Sequence, residues 1–452
     1  MNGSEVNFDG IVGLTHNYSG LAYGNVASLK NKRSPSNPRQ AALQGLAKMK
    51  YLMDLGIRQA VLPPQERPDV NTLRLLGFCG SDSNILLSAF QQAPELFFAC
   101  CSASSMWAAN AATVSPSCDS ADNRVHITPA NLMNKFHRSI EPATTGAALQ
   151  AIFSDPNFFT LHSPLPASQA LADEGAANHT RFCKEFASPG VQLFVYGRSA
   201  FGETAQAPIK YPARQTLEAS QANARIHQLP PERIVLAQQN PLAIDAGVFH
   251  NDVISVGHQN VFLYHEYAFV ECGQVIEELQ RKVLTACKTE LIAIKVTQEQ
   301  VPIEDAVASY LFNSQLVTLP DGSIHLIAPV ECQGIPCVRN FLENLESRES
   351  LDKTLIKKVH YLDVRESMRN GGGPACLRLR IVLTDNEISA VNPHVFLTEG
   401  LYNQLTAWVQ RHYRDRLLPE ELADPALLAE NRQALDELSR LLRLGCIYPF
   451  QK

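Results

Sequence analysis

The sequence predicts an α/β fold made as one closed repeat, and three observations carry that expectation. A polar residue standing just ahead of a strand recurs at Asn110, Asn178, Asn251 and Asn313, with Cys376 as the fifth member, at intervals of 68, 73, 62 and 63 residues. Strand pairs at these positions alternate with helical stretches, and a period of this length points to one repeating architecture rather than to separate domains. Gly, Ser and Pro nowhere build a long low-complexity linker in the 452 residues, of which 45% are hydrophobic and 19% charged. Residues 1–452 therefore read as a single domain with ample core.

In chain order, the polar joint Asn31–Asn37 leads into a helix, with Asn37 as N-cap, Pro38 at the first helical position and Gly56 just past the end after Leu55. Leu43, Leu46, Met49, Leu52 and Met53 give it one apolar face. Asn110–Val114 precedes a turn at Asp122–Asn123 and the strand Val125–Thr128; Asn178 precedes the strand Val191–Tyr196. Asn251–Val256 turns at Gly257 and returns through Val261–Tyr264, and Asn313–Val317 turns at Asp321–Gly322 and returns through Ile324–Ile327. The fifth unit is an alternating strand, Leu377–Leu383, opened by Cys376. If five units close around an axis, the residues that enter their inner strands converge on one central site.

Bulk properties exclude several classes. A formal net charge of -6 without a long basic run argues against nucleic acid as a partner. No uninterrupted apolar run reaches membrane-spanning length, and the N-terminal stretch has neither a basic nor an apolar signal region, so the expected location is the cytoplasm. Eleven cysteines cannot pair completely within one chain and read as reduced thiols, mostly buried, with Cys100–Cys101 in the core. Cys332 and Cys337 lack a second close pair to complete a zinc site, so no metal is expected.

The run Asn370-Gly371-Gly372-Gly373-Pro374-Ala375-Cys376 is the densest chemical signal. Three glycines allow positive φ and close approach of a ligand, and the thiol follows where the loop meets a strand. A cradle of this kind also suggests a phosphate loop, but it precedes a strand, not a helix, and lacks the glycine-lysine pattern. A thiol nucleophile needs a base and an orienting carboxylate, for which His250 and Glu174 are the candidates. Taken singly, a cysteine is usually core, a histidine a bonded strand-edge residue, Asp252 a turn terminator, Glu174 a helix cap and His137-Arg138 a solvated charge cluster.

Long separated blocks reverse those odds. They are Ser19-Gly20-Leu21-Ala22-Tyr23-Gly24-Asn25, Asn134-Lys135-Phe136-His137-Arg138, Tyr211-Pro212-Ala213-Arg214-Gln215-Thr216, Gly247-Val248-Phe249-His250-Asn251-Asp252-Val253 and the Asn370–Cys376 run. Together, from Val6 to Gln451, the chain resembles the N-succinylarginine dihydrolases of the guanidine-modifying pentein group. The resemblance implies a five-bladed, pseudo-symmetric α/β propeller, a cytoplasmic homodimer, no cofactor or metal, and a hydrolase of arginine catabolism by the succinyltransferase route. Its substrate would be N2-succinyl-L-arginine and its products succinylornithine, two ammonia and carbon dioxide.

Carried to matching positions, the catalytic groups fall on Glu174, His250 and the nucleophile Cys376. The substrate-binding groups fall on Ser19, Gly20, Leu21, Ala22, Tyr23, Gly24, Asn25, Val26, Ala27 and Ser28, and on Asn110, His137, Arg138, Arg214, Asp252 and Asn370. Arg214 and His137-Arg138 would read the carboxylates of the succinylated end, and Asp252 would pair with the guanidinium. The rival readings are a deiminase that stops after one hydrolysis and a non-catalytic pentein serving as an interaction module.

Overall fold

Each expected strand pair gains a third strand, reached through a helix, because a parallel neighbour cannot be joined by a tight turn. The structure is a computed structural model describing residues 3–202, 206–347 and 356–452; Met1 and Asn2 of the N-terminal stretch lie outside them. Its strands are β1 (Gly3–Gly10), β2 (Arg58–Leu62), β3 (Ala112–Ser115), β4 (Val125–Pro129), β5 (Phe159–Leu161), β6 (His179–Phe182), β7 (Val191–Tyr196) and β8 (Ile234–Gln238). They continue with β9 (Ser255–His258), β10 (Val261–His265), β11 (Ile292–Val296), β12 (Gln315–Thr318), β13 (Ile324–Pro329), β14 (Lys358–Leu362) and β15 (Arg378–Thr384).

Among the described residues these form five three-stranded sheets: β3-β4-β5, β6-β7-β8, β9-β10-β11, β12-β13-β14 and β15-β1-β2. In every sheet the first pair is antiparallel and the second parallel. The crossover helices are Pro38–Asp54, Pro142–Ile152, Leu217–Ile226, Cys272–Cys287 and Pro336–Ser347. The fifth sheet joins the two ends of the chain, with Val6 opposite Ile381. The first strands touch across sheets: β6 packs against β9, β9 against β12, and β15 against β3. One apolar cluster runs through several sheets, including Phe8, Ile127, Leu193, Phe262 and Leu379, all fully buried. Each such side chain contributes roughly 1.5–3 kcal/mol of burial.

The first crossover helix forms as expected. The Asn37 side chain accepts from Gln40 N at 2.8 Å, and Gly56 follows the last turn at φ +87°. Its inner face also holds Lys48, whose Nζ meets Asp9 Oδ2 of β1 at 2.5 Å with both side chains buried. Cys100 and Cys101 are in the core, and all eleven cysteines are free thiols, six of them buried.

Two local expectations need correction, and one strand went unread. Gly257 is not a turn but lies inside β9, opposite Phe262, and the turn falls at Gln259–Asn260, with Gln259 at φ +49°. A Cβ at Gly257 would sit 2.5 Å from Thr180 Cγ2, so the glycine admits the neighbouring sheet. Strand β6 carries His179 and Arg181 among its four residues, and this polarity hides it from a hydrophobic pattern. Cys376 lies in the turn before β15, whose first residue is Arg378.

Candidate active site

Short 3-10 turns stand ahead of the inner strands at Ala108–Asn110, Gly175–Asn178, Asn251–Val253 and Leu311–Asn313, and successive turns touch one another. These are the recurrent polar positions of the sequence. The turns bring Asn110, Glu174, His250, Asp252, Asn313 and Cys376 to one region through residues far apart in the chain.

One cluster centres on Glu174, which is fully buried. Its Oε2 accepts from Arg138 Nη1 at 2.5 Å and meets His250 Nε2 at 2.7 Å, while Asn110 Nδ2 donates to the Glu174 carbonyl at 2.7 Å. Burial alone would raise the Glu174 carboxyl, but Arg138 and the His250 bond outweigh it and hold it well below the ordinary carboxylate range. Burial, with Arg214 and Arg138 nearby, lowers His250 to about 4 despite Glu174. The imidazole is therefore neutral at neutral pH. A carboxylate at Nε2 fixes the Nε2–H tautomer, leaving Nδ1, which is buried and has no hydrogen-bond partner among the described residues, as the basic nitrogen. Arg214 Nη1 lies 3.5 Å from the same Nε2, its Nη2 donates to Tyr23 O at 3.4 Å, and its guanidinium lies 4.8 Å from the centre of the Phe249 ring. With Nε2–H turned to Glu174, the Arg214 contact is a cationic neighbour rather than a second hydrogen bond.

The thiol belongs to a second cluster. Cys376 Sγ is 3.4 Å from Asp252 Oδ2 and accepts from Asn313 Nδ2 at 3.1 Å. Burial and then the Asp252 charge raise the thiol well above its usual value. Burial also raises Asp252, to about 7, against the bonds from Cys376 and Asn313 and the fields of Arg138 and Arg214. The resting thiol is protonated and points its proton at Asp252.

The glycine run is a packed loop rather than a flexible cradle. Only Gly371 takes a positive φ, +95°. Gly372 and Gly373 are required for contact: a Cβ would lie 2.3 Å from Trp107 Nε1 at the first and 2.8 Å from Asn313 Oδ1 at the second.

A narrow pocket is lined by Ser19, Leu21, Ala22, Asn25, Ser28, His137, Arg138, Arg214, His250 and Asn370 from the expected set, but not by Cys376 or Asp252. Gly20 and Gly24 take positive φ values that shape the 19–28 loop, and Tyr23 is exposed. Val26 and Ala27 open the short helix Val26–Lys30, which Asn25 caps. Asn25 Nδ2 donates to Asn370 O and Ser28 Oγ to Asn370 Oδ1, both at 3.0 Å, so these expected ligand residues first brace one another. His137 is neutral, lowered to about 3 by burial and by Arg138 and Arg214. Arg138 is not a free cation, since Glu174 holds it, although its Nε and Nη2 have no hydrogen-bond partner among the described residues.

Sequence reasoning did not assign Trp107, Ser102 and Ser104, which line the pocket, Gln215, whose Oε1 accepts from Glu174 N at 2.7 Å, or Asn313. Only Asn313 left a signal, its place in the repeat.

The family model of succinylarginine dihydrolase matches residues 2–451. The N-succinylarginine dihydrolase of Shewanella putrefaciens is 57% identical over 448 residues, covering 99% of either chain. That of Hahella chejuensis is 57% identical over 451 residues and covers both chains completely, at 100%. Among solved structures, the apo form of an arginine dihydrolase from the ornithine–ammonia cycle in cyanobacteria matches with a TM-score of 0.50 and 16% identity, over 88% of this chain and 42% of that one. That likeness speaks for the fold alone, a shared arrangement of strands and helices over most of this chain. With a full-length family match and identity above half along the whole chain, the protein belongs to the succinylarginine dihydrolase family.

Proposed function

We propose that this enzyme converts N2-succinyl-L-arginine and two waters to N2-succinyl-L-ornithine, two ammonia and carbon dioxide, in arginine catabolism, with Cys376 as nucleophile. The observation that carries the reading is a protonated Cys376 thiol bonded to Asp252, in the same chain of touching turns as a neutral His250 whose Nδ1 has no partner among the described residues.

A guanidinium carbon is a weak electrophile, so the cation must be held while a thiolate attacks. Asp252, freed of the thiol proton, pairs with the guanidinium through charge-assisted hydrogen bonds, and the substrate cation in turn favours the thiolate. The thiol proton passes to His250, Sγ bonds to the guanidinium carbon, and His250 returns the proton to the departing ammonia. Neutral again, His250 takes a proton from water. The hydroxyl adds to the amidino-thioether carbon and the carbon–sulfur bond breaks, leaving a ureido compound. A second round at the same carbon expels the second ammonia, and hydrolysis of the resulting thiocarbamate leaves a carbamate that breaks down to succinylornithine and carbon dioxide. Glu174 holds the imidazole tautomer throughout, with Arg138 as its counter-ion.

The five like sheets and the contacts between their first strands support a closed five-bladed propeller, a single domain over 1–452. The family resemblance supports a cytoplasmic homodimer. The described residues contain no helix long and apolar enough to cross a membrane.

Product analysis by mass spectrometry tests the assignment. Wild type should yield succinylornithine, and Cys376→Ser should yield none while keeping its fold by circular dichroism. Activity in Cys376→Ser, with equal loss in Cys100→Ser or Cys183→Ser, overturns it.

A further inference from the structure

Three of the four recurrent asparagines, Asn110, Asn178 and Asn313, tie their unit to the next, while the Asn251 side chain accepts from Ser255 Oγ within its own unit. Asn110 Nδ2 donates to Glu174 O at 2.7 Å, Asn178 Oδ1 accepts from Asn251 N at 2.8 Å, and Asn313 Oδ1 accepts from Cys376 N at 3.1 Å. The backbone adds a fourth tie, Ala375 N to Asn313 O at 3.1 Å. The fifth position of this series is Cys376 itself, so the last clamp closes on the nucleophile.

Asn313 goes beyond the clamp. Its Nδ2 donates to Cys376 Sγ at 3.1 Å and to Asp252 O at 3.2 Å. The amide has one possible orientation. Turned over, it would set Nδ2 against the Cys376 N–H and Oδ1 against the Asp252 carbonyl, opposing donor to donor and acceptor to acceptor. A buried amide so pinned presents a fixed N–H to sulfur, and Gly373 is the residue that admits it. The other polar neighbours of Sγ are Asp252, an acceptor, which favours the thiol, and the Gly373 backbone N–H, a donor, which favours the charged sulfur. Asn313 likewise opposes Asp252, because a donor hydrogen bond favours the charged sulfur.

We propose that Asn313 is a catalytic residue, the fixed donor that stabilises the Cys376 thiolate when the guanidinium arrives and again when the sulfur leaves carbon. The proposal rests on the reading of Cys376 as nucleophile. It explains how an enzyme can keep a protonated thiol at rest and still ionise it on demand. Substrate neutralises Asp252, and the Asn313 N–H is already aimed at the sulfur, with no reorganisation in the step itself.

The test compares Asn313→Ala, Asn313→Asp and Asn178→Ala with wild type. Asn313→Asp keeps an oxygen for the Cys376 N–H but sets an acceptor against sulfur, while Asn178→Ala removes an equivalent clamp that touches no reacting atom. The readouts are iodoacetamide alkylation of Cys376 by intact mass from pH 7 to 10, steady-state kinetics on succinylarginine, and thermal melting. Asp252, Tyr310 and Lys48 are the titratable groups within the field of the thiol and are common to every variant.

Both Asn313 variants should alkylate at least about tenfold more slowly at pH 8, as the thiolate fraction falls tenfold for each unit the thiol rises. Their kcat should fall at least about tenfold, with KM changed less than about threefold, the pattern of an interaction made in the reacting state. Asn178→Ala should melt lower and keep the wild-type alkylation profile. Wild-type alkylation and kcat in Asn313→Asp overturn the proposal even if Asn313→Ala fails to fold. Substrate-protected labelling that survives in Cys376→Ser overturns the nucleophile assignment itself, a separate failure.

Discussion

At Asp252 the fold holds a carboxyl where burial favours the neutral form, up to about 7 from 3.8, and two trends of opposite sign follow. Between those values the folded chain binds a proton that the unfolded chain has lost, so stability falls as pH rises through the window. If Asp252 holds the guanidinium as proposed, activity moves the other way, since only the carboxylate makes that pair. The kcat/KM of wild type should fall as pH drops below about 7, and Asp252→Asn should raise the melting temperature more at pH 8 than at pH 5 while losing turnover. An Asn variant that gained more at pH 5 would refute this assignment of the charge.

Arg214 is the other residue with a distinctive burden. Burial lowers it to about 10, and its neighbours are His250, Tyr23 O and the Phe249 ring. In the proposed reading a carboxylate of the succinylated end would complete this cation, whereas free arginine would bring an ammonium to it. Arg214→Ala should cut kcat/KM for succinylarginine about a hundredfold and narrow its advantage over arginine. Steady-state kinetics with both substrates check this, and unchanged selectivity would remove Arg214 from the recognition of that end.

Among the elements, the inner strands depend on glycine for distance rather than flexibility. Gly257→Ala should cost about 1–3 kcal/mol in denaturant unfolding, because β9 must move off Thr180 and Phe182 to house the methyl. A neutral substitution would show that the sheets are looser than drawn here. This position also marks the limit of what local pattern conveys. Asn37, Pro38 and Gly56 act within their own helix, so its ends were legible, as was the hairpin whose turn holds Gly322 at φ +83°. Gly257 answers to a side chain on another sheet, nearly eighty residues away, which no local rule contains. His179 and Arg181 keep β6 out of a hydrophobic pattern, because their polar side chains are satisfied by Gln192 on the adjacent strand and by Asp119, 62 residues away.

The same division holds at the site. Cys376, His250 and Glu174 could be singled out by residue type and motif. The capture of Arg138 by Glu174, the mutual bracing of Ser28 and Asn370, and the bond from Asn313 to sulfur depend on tertiary contact.

Across the whole molecule, five copies of one strand–strand–helix–strand plan turn distant sequence positions into neighbours, and the pairing of β1 with β15 ties the chain ends into the same plan. Charge pairs reinforce the contacts deep inside. Arg378 meets Glu5 at 2.7 Å across β15 and β1, and Arg181 meets Asp119 at 2.6 Å, all four side chains buried. Such pairs are costly to break singly, by about 3–5 kcal/mol, and so favour this one arrangement of the strand ends. In the proposed mechanism a neutral base, a protonated thiol and a fixed donor act on one carbon, and that carbon is attacked twice. Ammonia released per succinylarginine consumed, followed to completion, measures this directly. Two per substrate, with succinylornithine as the amino product, is the predicted result; one per substrate, with the ureido compound left over, would contradict it.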